Sequence, residues 1–446
     1  IITDCAAMED GDQGGLFNSA GVEHNDHHDE DTACVTIGYV VLDKTISDGP
    51  TANGDGTWTV TYDVVASNIG GADVEYDISD RLRYGEGIDI VSAEVTAPEG
   101  ITVLDTWTGL GEDGAVENLI ATGVTLEADA SHTYQVQAVV ELDEDTITPG
   151  DLQCPPPGSG ANGGLANSAA IDHNGIVAID EDCASLPLID ITKTVAGGPD
   201  PVGDGAWVIT YELAVTNSGE ADGEYDLADE LRYGEGILIA DAVIAEAPEG
   251  VDVNADWTGQ GEPDSAENVI ATGVTLGAQE EHTYQVQVMV TLDHDTITPG
   301  ALECPEPGSG ESGGLANGAE LTHNGQAHQD DVCATLPLID ISKGVSEGPT
   351  GNDDGTWSAI YDIVVRNTGG AQGIYDLTDR LDADGELEIV DAELITSAEG
   401  VDVNDDWTGL GVEGAPENVI ATGVDLAAGA EHTYQVEVVL GIGDVE

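Results

Sequence analysis

Basic residues are almost missing from this chain: its 446 residues hold 8 Lys+Arg against 89 Asp+Glu, a formal charge of −81. That balance excludes surfaces built for nucleic acid or anionic lipid, which need positive charge, and makes cations the natural counter-partners. No run reaches the ~18–20 apolar residues of a membrane-spanning helix. Neither a cleavable leader nor a C-terminal anchor is visible and the chain opens on Ile1, so it reads as a processed protein or as a window of a longer one. No nucleophile elbow, HExxH or phosphate-binding Gly loop occurs, and Asp and Glu are too abundant for any pair to stand out as hydrolytic acids, so the chain reads as no enzyme. Acidity of this degree first suggests disorder, but 40% of residues are hydrophobic and they alternate with polar ones, which marks a folded chain. Plentiful Gly (59) and Pro (17), with Val, Ile and Thr spread evenly, suit strands and turns.

The length exceeds one core and suits three domains. Self-similarity supports that count. Trp58, Trp207 and Trp357 recur at spacings of 149 and 150, and Trp107, Trp257 and Trp407 at 150 and 150. The HTYQV segments at His132, His282 and His432 keep the same period, as do Cys5, Cys154 and Cys304, and Cys34, Cys183 and Cys333. A period this long means whole domains in an array. Within a unit, Trp58, Val60, Tyr62 and Val64 share one face and Thr57, Thr59, Thr61 and Asp63 the other, while Tyr134, Val136, Ala138 and Val140 form another apolar face. Further strands are expected near 88–96, 118–126, 164–172 and 176–182, the last two joined by the hairpin signal Asn174-Gly175. Such a unit is an all-β sandwich.

The phase is unusual. Residues 1–34 match 150–183 and 300–333, which close a unit, whereas residues 335–446 open a unit and stop after its HTYQV strand. The expected organisation is a closing segment 1–34, repeats 35–184 and 185–334, and a third repeat 335–446 without its closing hairpin. Either the chain is cut from a longer array, or segment 1–34 of one copy completes the last repeat of the next by strand donation.

Each unit runs from ITKTV (191–195) through GDGAWVITYELAVTNSG (203–219), YDLADELRYGEGI (225–237), ENVIATGVTL (267–276) and HTYQVQV (282–288) to a closing GGLANSAAIDHNG (163–175). In order and spacing this resembles the conserved-repeat, immunoglobulin-like domains of bacterial and archaeal surface proteins. The resemblance implies tandem immunoglobulin-like sandwiches in an extended array at the cell surface or outside it, serving as stalk, adhesin or fibre, and no activity. The expected role is therefore a structural fibre subunit, assembled head to tail with itself, or a spacer in an adhesin whose ligand-binding domain lies elsewhere. The third repeat departs from the others, with Leu381-Asp382-Ala383-Asp384 where they have the Arg-Tyr-Gly-Glu of 83–86 and 232–235.

Cysteines pair as Cys5–Cys34, Cys154–Cys183 and Cys304–Cys333, each 29 residues apart, and disulfides at these positions imply an oxidising compartment. Free thiols or a metal site are the alternative, although two Cys per unit argue against structural zinc. Each unit also has a single lysine, Lys44, Lys193 or Lys343, and alternation puts it on the core face, with Ile189, Ile191 and Val195 around Lys193. Asn167 shares the core face of the closing strand with Leu165, Ala169 and Ile171, and Asn18 and Asn317 are its equivalents. Asp80, Asp229 and Asp379 fall in phase with core residues of another strand. This set resembles Cna-type pilin and adhesin domains, where a lysine, an asparagine and a buried acid form an isopeptide bond. The resemblance implies pairs Lys44–Asn167 and Lys193–Asn317, with Lys343 left to Asn18 of another copy. The plain alternative is a buried Lys–Asp ion pair with Asn as hydrogen-bond partner, or a lysine reaching to the rim.

Oxygen-rich loops are candidate Ca²⁺ ligands: Asn53 and Asp55, Asp200 and Asp204, Asn352, Asp353 and Asp354, Asp143 and Asp145, Asp293 and Asp295, and the junctions 180–182 and 330–331. None has EF-hand spacing, and a solvated acidic surface is the plainer reading of any single cluster. The run His24-Asn25-Asp26-His27-His28-Asp29 is a candidate transition-metal turn.

Overall fold

The computed structural model describes Thr3, Cys5 and residues 15–263, 265–383 and 387–442. Its strands follow the period-2 alternation of β-branched and aromatic residues. A free hairpin comes first, β1 (Leu16–His24) and β2 (His27–Val35). Module 1 contains β3 (Val40–Ala52), β4 (Thr57–Asn68), β5 (Val74–Leu82), β6 (Ile88–Thr96), β7 (Leu119–Leu126), β8 (Ser131–Leu142), β9 (Asn167–His173) and β10 (Ile176–Asp182). Module 2 repeats them as β11 (Ile189–Gly203), β12 (Ala206–Asn217), β13 (Gly223–Tyr233), β14 (Ile237–Glu246), β15 (Val269–Leu276), β16 (Glu281–Leu292), β17 (Leu315–His323) and β18 (Gln326–Val332). Module 3 has β19 (Ile339–Gly351), β20 (Trp357–Asn367), β21 (Gly373–Thr378), β22 (Leu387–Thr396), β23 (Val419–Leu426) and β24 (Glu431–Ile442). Asp384 of the divergent segment lies outside the described residues.

Each complete module is two antiparallel four-stranded sheets, ordered β3-β4-β8-β6 and β10-β9-β5-β7 in module 1 and equivalently in module 2. The inner faces meet in one core. Val60, Tyr62, Val64, Tyr134, Val136, Ala138 and Val140 of one sheet, all fully buried, pack with Ile78, Val124 and Ile171 of the other. The faces expected from alternation are therefore the faces observed. Module 3 keeps its first sheet, β19-β20-β24-β22, but its second consists of β21 and β23 alone among the described residues. In modules 1 and 2 the closing hairpin occupies the other edge of β5 or β13.

Modules 1 and 2 also touch directly. The tip of the β17–β18 hairpin sits on the β3–β4 turn, where Gly54 N–H donates to Asn324 Oδ1 (2.7 Å), Gly56 N–H to the Asn324 carbonyl (2.6 Å) and Asn324 Nδ2 to the Thr57 carbonyl (2.9 Å). Gly325 has φ +79°, and a Cβ there would lie 2.2 Å from the Gly54 oxygen, so the position requires glycine twice over.

Candidate functional site

In module 2, β11 presents Lys193, β13 presents Asp229 and β17 presents Asn317, all to the space between the sheets. Lys193 Nζ donates to Asp229 Oδ1 at 2.5 Å, and neither side chain has any solvent exposure. Asn317 Nδ2 donates to the second oxygen, Asp229 Oδ2, at 3.2 Å, while its own Oδ1 is buried without a partner. Module 1 repeats the arrangement: Lys44 Nζ lies 2.6 Å from Asp80 Oδ2, and Asp80 Oδ1 and both polar atoms of the fully buried Asn167 lack partners. An aromatic ring covers each lysine, with Nζ 4.9 Å from the centre of Tyr62 and 5.4 Å from that of Tyr211. Trp107 and Trp257 cover the acid, donating Nε1–H to the carbonyls of Asp80 (3.3 Å) and Asp229 (3.2 Å).

Burial sets the protonation. It pushes the Lys44 amine below its usual range against the pull of Asp80, and does the same to Lys193 against Asp229. Burial likewise raises the Asp80 carboxyl, opposed by Lys44 and more weakly by the nearby Asn167 amide. In module 1 both directions favour the neutral pair, and an amine, a carboxyl and a carboxamide are enclosed together, the groups that a nucleophile, a general acid and an electrophile require.

Module 3 holds two of the three parts. Lys343 Nζ donates to Asp379 Oδ1, and Asp379 Oδ2 is buried without a partner. Tyr361 lies 5.0 Å from Nζ and Trp407 Nε1 donates to the Asp379 carbonyl at 3.0 Å, so the pocket is built as in the other modules. Asn18 is exposed on the free hairpin and is not brought to this site.

All three expected cysteine pairs are disulfides, Cys5–Cys34, Cys154–Cys183 and Cys304–Cys333, with Cα–Cα distances of 5.9, 5.8 and 5.8 Å. The oxygen-rich loops hold their side chains by local hydrogen bonds. Asp55 Oδ1 accepts from the N–H and hydroxyl of Thr57, as Asp354 Oδ1 does from Thr356, and Asn53 and Asn352 donate to the same two threonines. Asp143 and Asp293 each accept from the second and third residue of their own turns. Asp200 lies exposed near the end of β11, and Asp204 and Asp353 lie exposed on turns. Among the described residues no three His, Cys, Asp or Glu side chains converge on a metal position, which includes His24, His27 and His28 at the hairpin tip.

The junction aspartates do different work. Asp180 Oδ2 accepts the Lys44 N–H at 2.7 Å, Asp182 Oδ2 the Ile46 N–H at 2.7 Å, and Asp330 Oδ2 the Lys193 N–H at 2.6 Å. They tie the closing hairpin to the lysine strand across the gap between sheets. Sequence reasoning missed this, and also missed Tyr62 and Tyr211, whose hydroxyls donate to the carbonyls of Leu165 (2.5 Å) and Leu315 (2.8 Å). The available signal was recurrence, since Asp31, Asp180 and Asp330 share the repeat phase.

No protein-family model matches the chain, and no curated protein matches it. Solved structures similar to it include a tetra-tandem repeat from the extending region of a large adhesion protein, at TM-score 0.22 and 12% identity over 94% of this chain and 71% of that one. A C-terminal fragment of the major pilin of Streptococcus agalactiae aligns at TM-score 0.21 and 9% identity, over 66% and 91%. Escherichia coli alpha-2-macroglobulin aligns at 0.17 and 13%, over 94% and 31%. Superposition at these scores is partial, and the functional reading rests on the chain's own geometry.

Proposed function

We propose that this chain is a structural segment of an extracellular fibre or surface stalk, whose modules are closed by a disulfide and by a lysine–asparagine amide. The observation that carries the reading is the enclosure of Lys193, Asp229 and Asn317 without solvent, repeated at Lys44, Asp80 and Asn167. In the reaction, the neutral lysine Nζ attacks the asparagine Cγ while the aspartic acid hydrogen-bonds the carboxamide oxygen, which requires the opposite amide orientation to that assigned at Asn317. The Cγ–Nδ2 bond breaks, a lysine proton passes through the carboxyl to the departing nitrogen, and ammonia leaves. No oxidant or cofactor is needed. The amide joins the first strand of one sheet to the closing strand of the other, so a pulling force meets a covalent tie. A disulfide closing a loop of this size adds about 3–4 kcal/mol in the chain-entropy model, and disulfides persist outside the reducing cytosol.

In a fibre the copies join head to tail, residues 1–34 of one completing module 3 (335–446) of the next. The same modules, alike in strand order and in their buried triads, equally suit the spacer of an adhesin. Cations, Ca²⁺ among them, are the partners of the acidic surface as counter-ions. Intact-mass measurement tests the amide: the folded chain should fall short of its sequence mass by one ammonia each for modules 1 and 2, beyond the disulfide hydrogens. Asp229→Asn should restore one of the two, and a wild-type mass with no deficit sinks the reading.

A further inference from the structure

Four features match module 3 to a part that the same chain carries elsewhere. The first is the open edge of β21, which among the described residues pairs with β23 alone, where β5 and β13 each also pair with a closing strand. The second is register. In β1–β2 Asn18 stands opposite Ala33, the offset at which Asn167 stands opposite Asp182 and Asn317 opposite Val332. The third is a pair of uncovered apolar faces. Leu16 and Val22 are 64% and 62% exposed, although their equivalents Leu165, Ile171, Leu315 and Leu321 are buried; on the receiving side Ile341 and Val345 are 59% and 58% exposed. The fourth is chemical. The Lys343 side chain is 33% exposed where Lys44 and Lys193 are fully covered, and Asp379 Oδ2 has no partner, the oxygen that in module 2 accepts from Asn317.

We propose that module 3 takes the β1–β2 hairpin of a second copy and that Lys343 then forms an amide with Asn18 of that copy, making the junction between copies covalent. This rests on the reading of the triads as bond-forming sites. The docked β1 would lie antiparallel to β21 with Leu16, Asn18, Ala20 and Val22 inward, the faces that β17 shows to module 2. Asp31 occupies the place of Asp180 and Asp330, whose carboxylates accept the backbone N–H of Lys44 and Lys193, so it is placed to accept that of Lys343. The second copy's hairpin would lead straight into its own β3, as β10 leads into β11 and β18 into β19, so the array continues in phase across the junction.

Docking covers Lys343 and so removes water from its pair with Asp379. The neutral amine attacks Cγ of Asn18, the Nζ–Cγ bond forms, the Cγ–Nδ2 bond breaks, and the proton lost by Nζ passes through Asp379 to the leaving ammonia. The hairpin tip differs from that of module 2: Asp26 stands where Gly325 meets Gly54, so the tip contact between modules 1 and 2 is not repeated. The amide, rather than the tip, is the anchor.

Two variants that cannot polymerise alone test this. Asn18→Ala keeps a working Lys343 and Lys343→Ala keeps a working Asn18; both positions are exposed, and neither lies in modules 1 and 2. Wild-type chains should give a ladder of multimers that survives boiling in SDS and reductant, each variant alone should give monomers, and the mixture should give covalent dimers and nothing longer. The dimer should yield a crosslinked peptide joining residues 343 and 18. Multimers that boil apart into monomers overturn the covalent junction and leave head-to-tail docking standing. No multimers, with two ammonias still lost per monomer, overturns the junction and leaves the triads of modules 1 and 2 intact. No ammonia lost at all overturns the reading on which the junction rests.

Discussion

A histidine buried against a neighbouring module is a pH-dependent contact. His323 donates Nδ1–H to the Glu224 carbonyl (2.7 Å), its Nε2 is buried without a partner, and its ring lies 6.0 Å from that of Trp58. Burial lowers its pKa below the usual ~6.5, helped by His328 and opposed by the Glu224 carbonyl. The unfolded chain therefore takes up this proton first as pH falls, so the contribution to stability is complete above about 6.5 and is lost as pH drops through the folded value. His323→Asn keeps a donor near Nδ1 and removes the titration. Its melting temperature should trail wild type at pH 7.5, and the gap should narrow as pH falls below about 6.5; parallel curves would rule the effect out. At this scale the sequence was legible where a residue broke the pattern. A lone lysine per unit on an apolar face is conspicuous, and all three prove to meet an aspartate. Asp180 and Asp330 were illegible because acidic residues crowd every loop, and their backbone partners lie 136 and 137 positions away.

Strands and their inward faces were legible because alternation is a local property of the chain. Pairing was not, since β9 joins β5 from 91 residues away, as in the contact of Ser79 Oγ with the Ala170 carbonyl. The hydrogen bonds inside the turns were not legible, as where Asp55 and Asp354 each accept from the threonine two residues on. The two Asn-Gly hairpin tips show how context separates identical elements. Gly175 (φ +76°) has nothing within 4 Å of an added Cβ, whereas Gly325 (φ +79°) presses on Gly54. Gly175→Ala should therefore cost only the backbone term, about 1 kcal/mol. Gly325→Ala should in addition unseat the tip, loosening modules 1 and 2. Small-angle scattering should show a broader distance distribution for Gly325→Ala and an unchanged one for Gly175→Ala. Equal profiles would mean that the tip does not hold the modules together.

At the scale of the molecule, the repeat and its phase were readable directly, because a 150-residue period survives any uncertainty about individual strands. Charge is the property that only the whole surface explains. Spreading −81 over 23624 Å² leaves about one net charge per 290 Å², a mean spacing near 17 Å. The Debye length is about 8 Å at 0.15 M salt and about 30 Å at 0.01 M. Neighbouring charges are therefore screened from one another in the first condition and not in the second. Five arginines and three lysines are too few to neutralise them locally, and the lysines face inward. Dilution of salt should consequently lower the melting temperature steeply below about 0.1 M and hardly change it above, by the same screening argument. If the cations form an atmosphere, CaCl₂ and NaCl at equal ionic strength should differ only modestly. Calorimetry across both salts decides between the two kinds of binding. A calcium-specific rise at micromolar concentration, reversed by a chelator, would require a built site; a response that follows ionic strength alone places the cations in the diffuse layer that lets so acidic a chain stay folded.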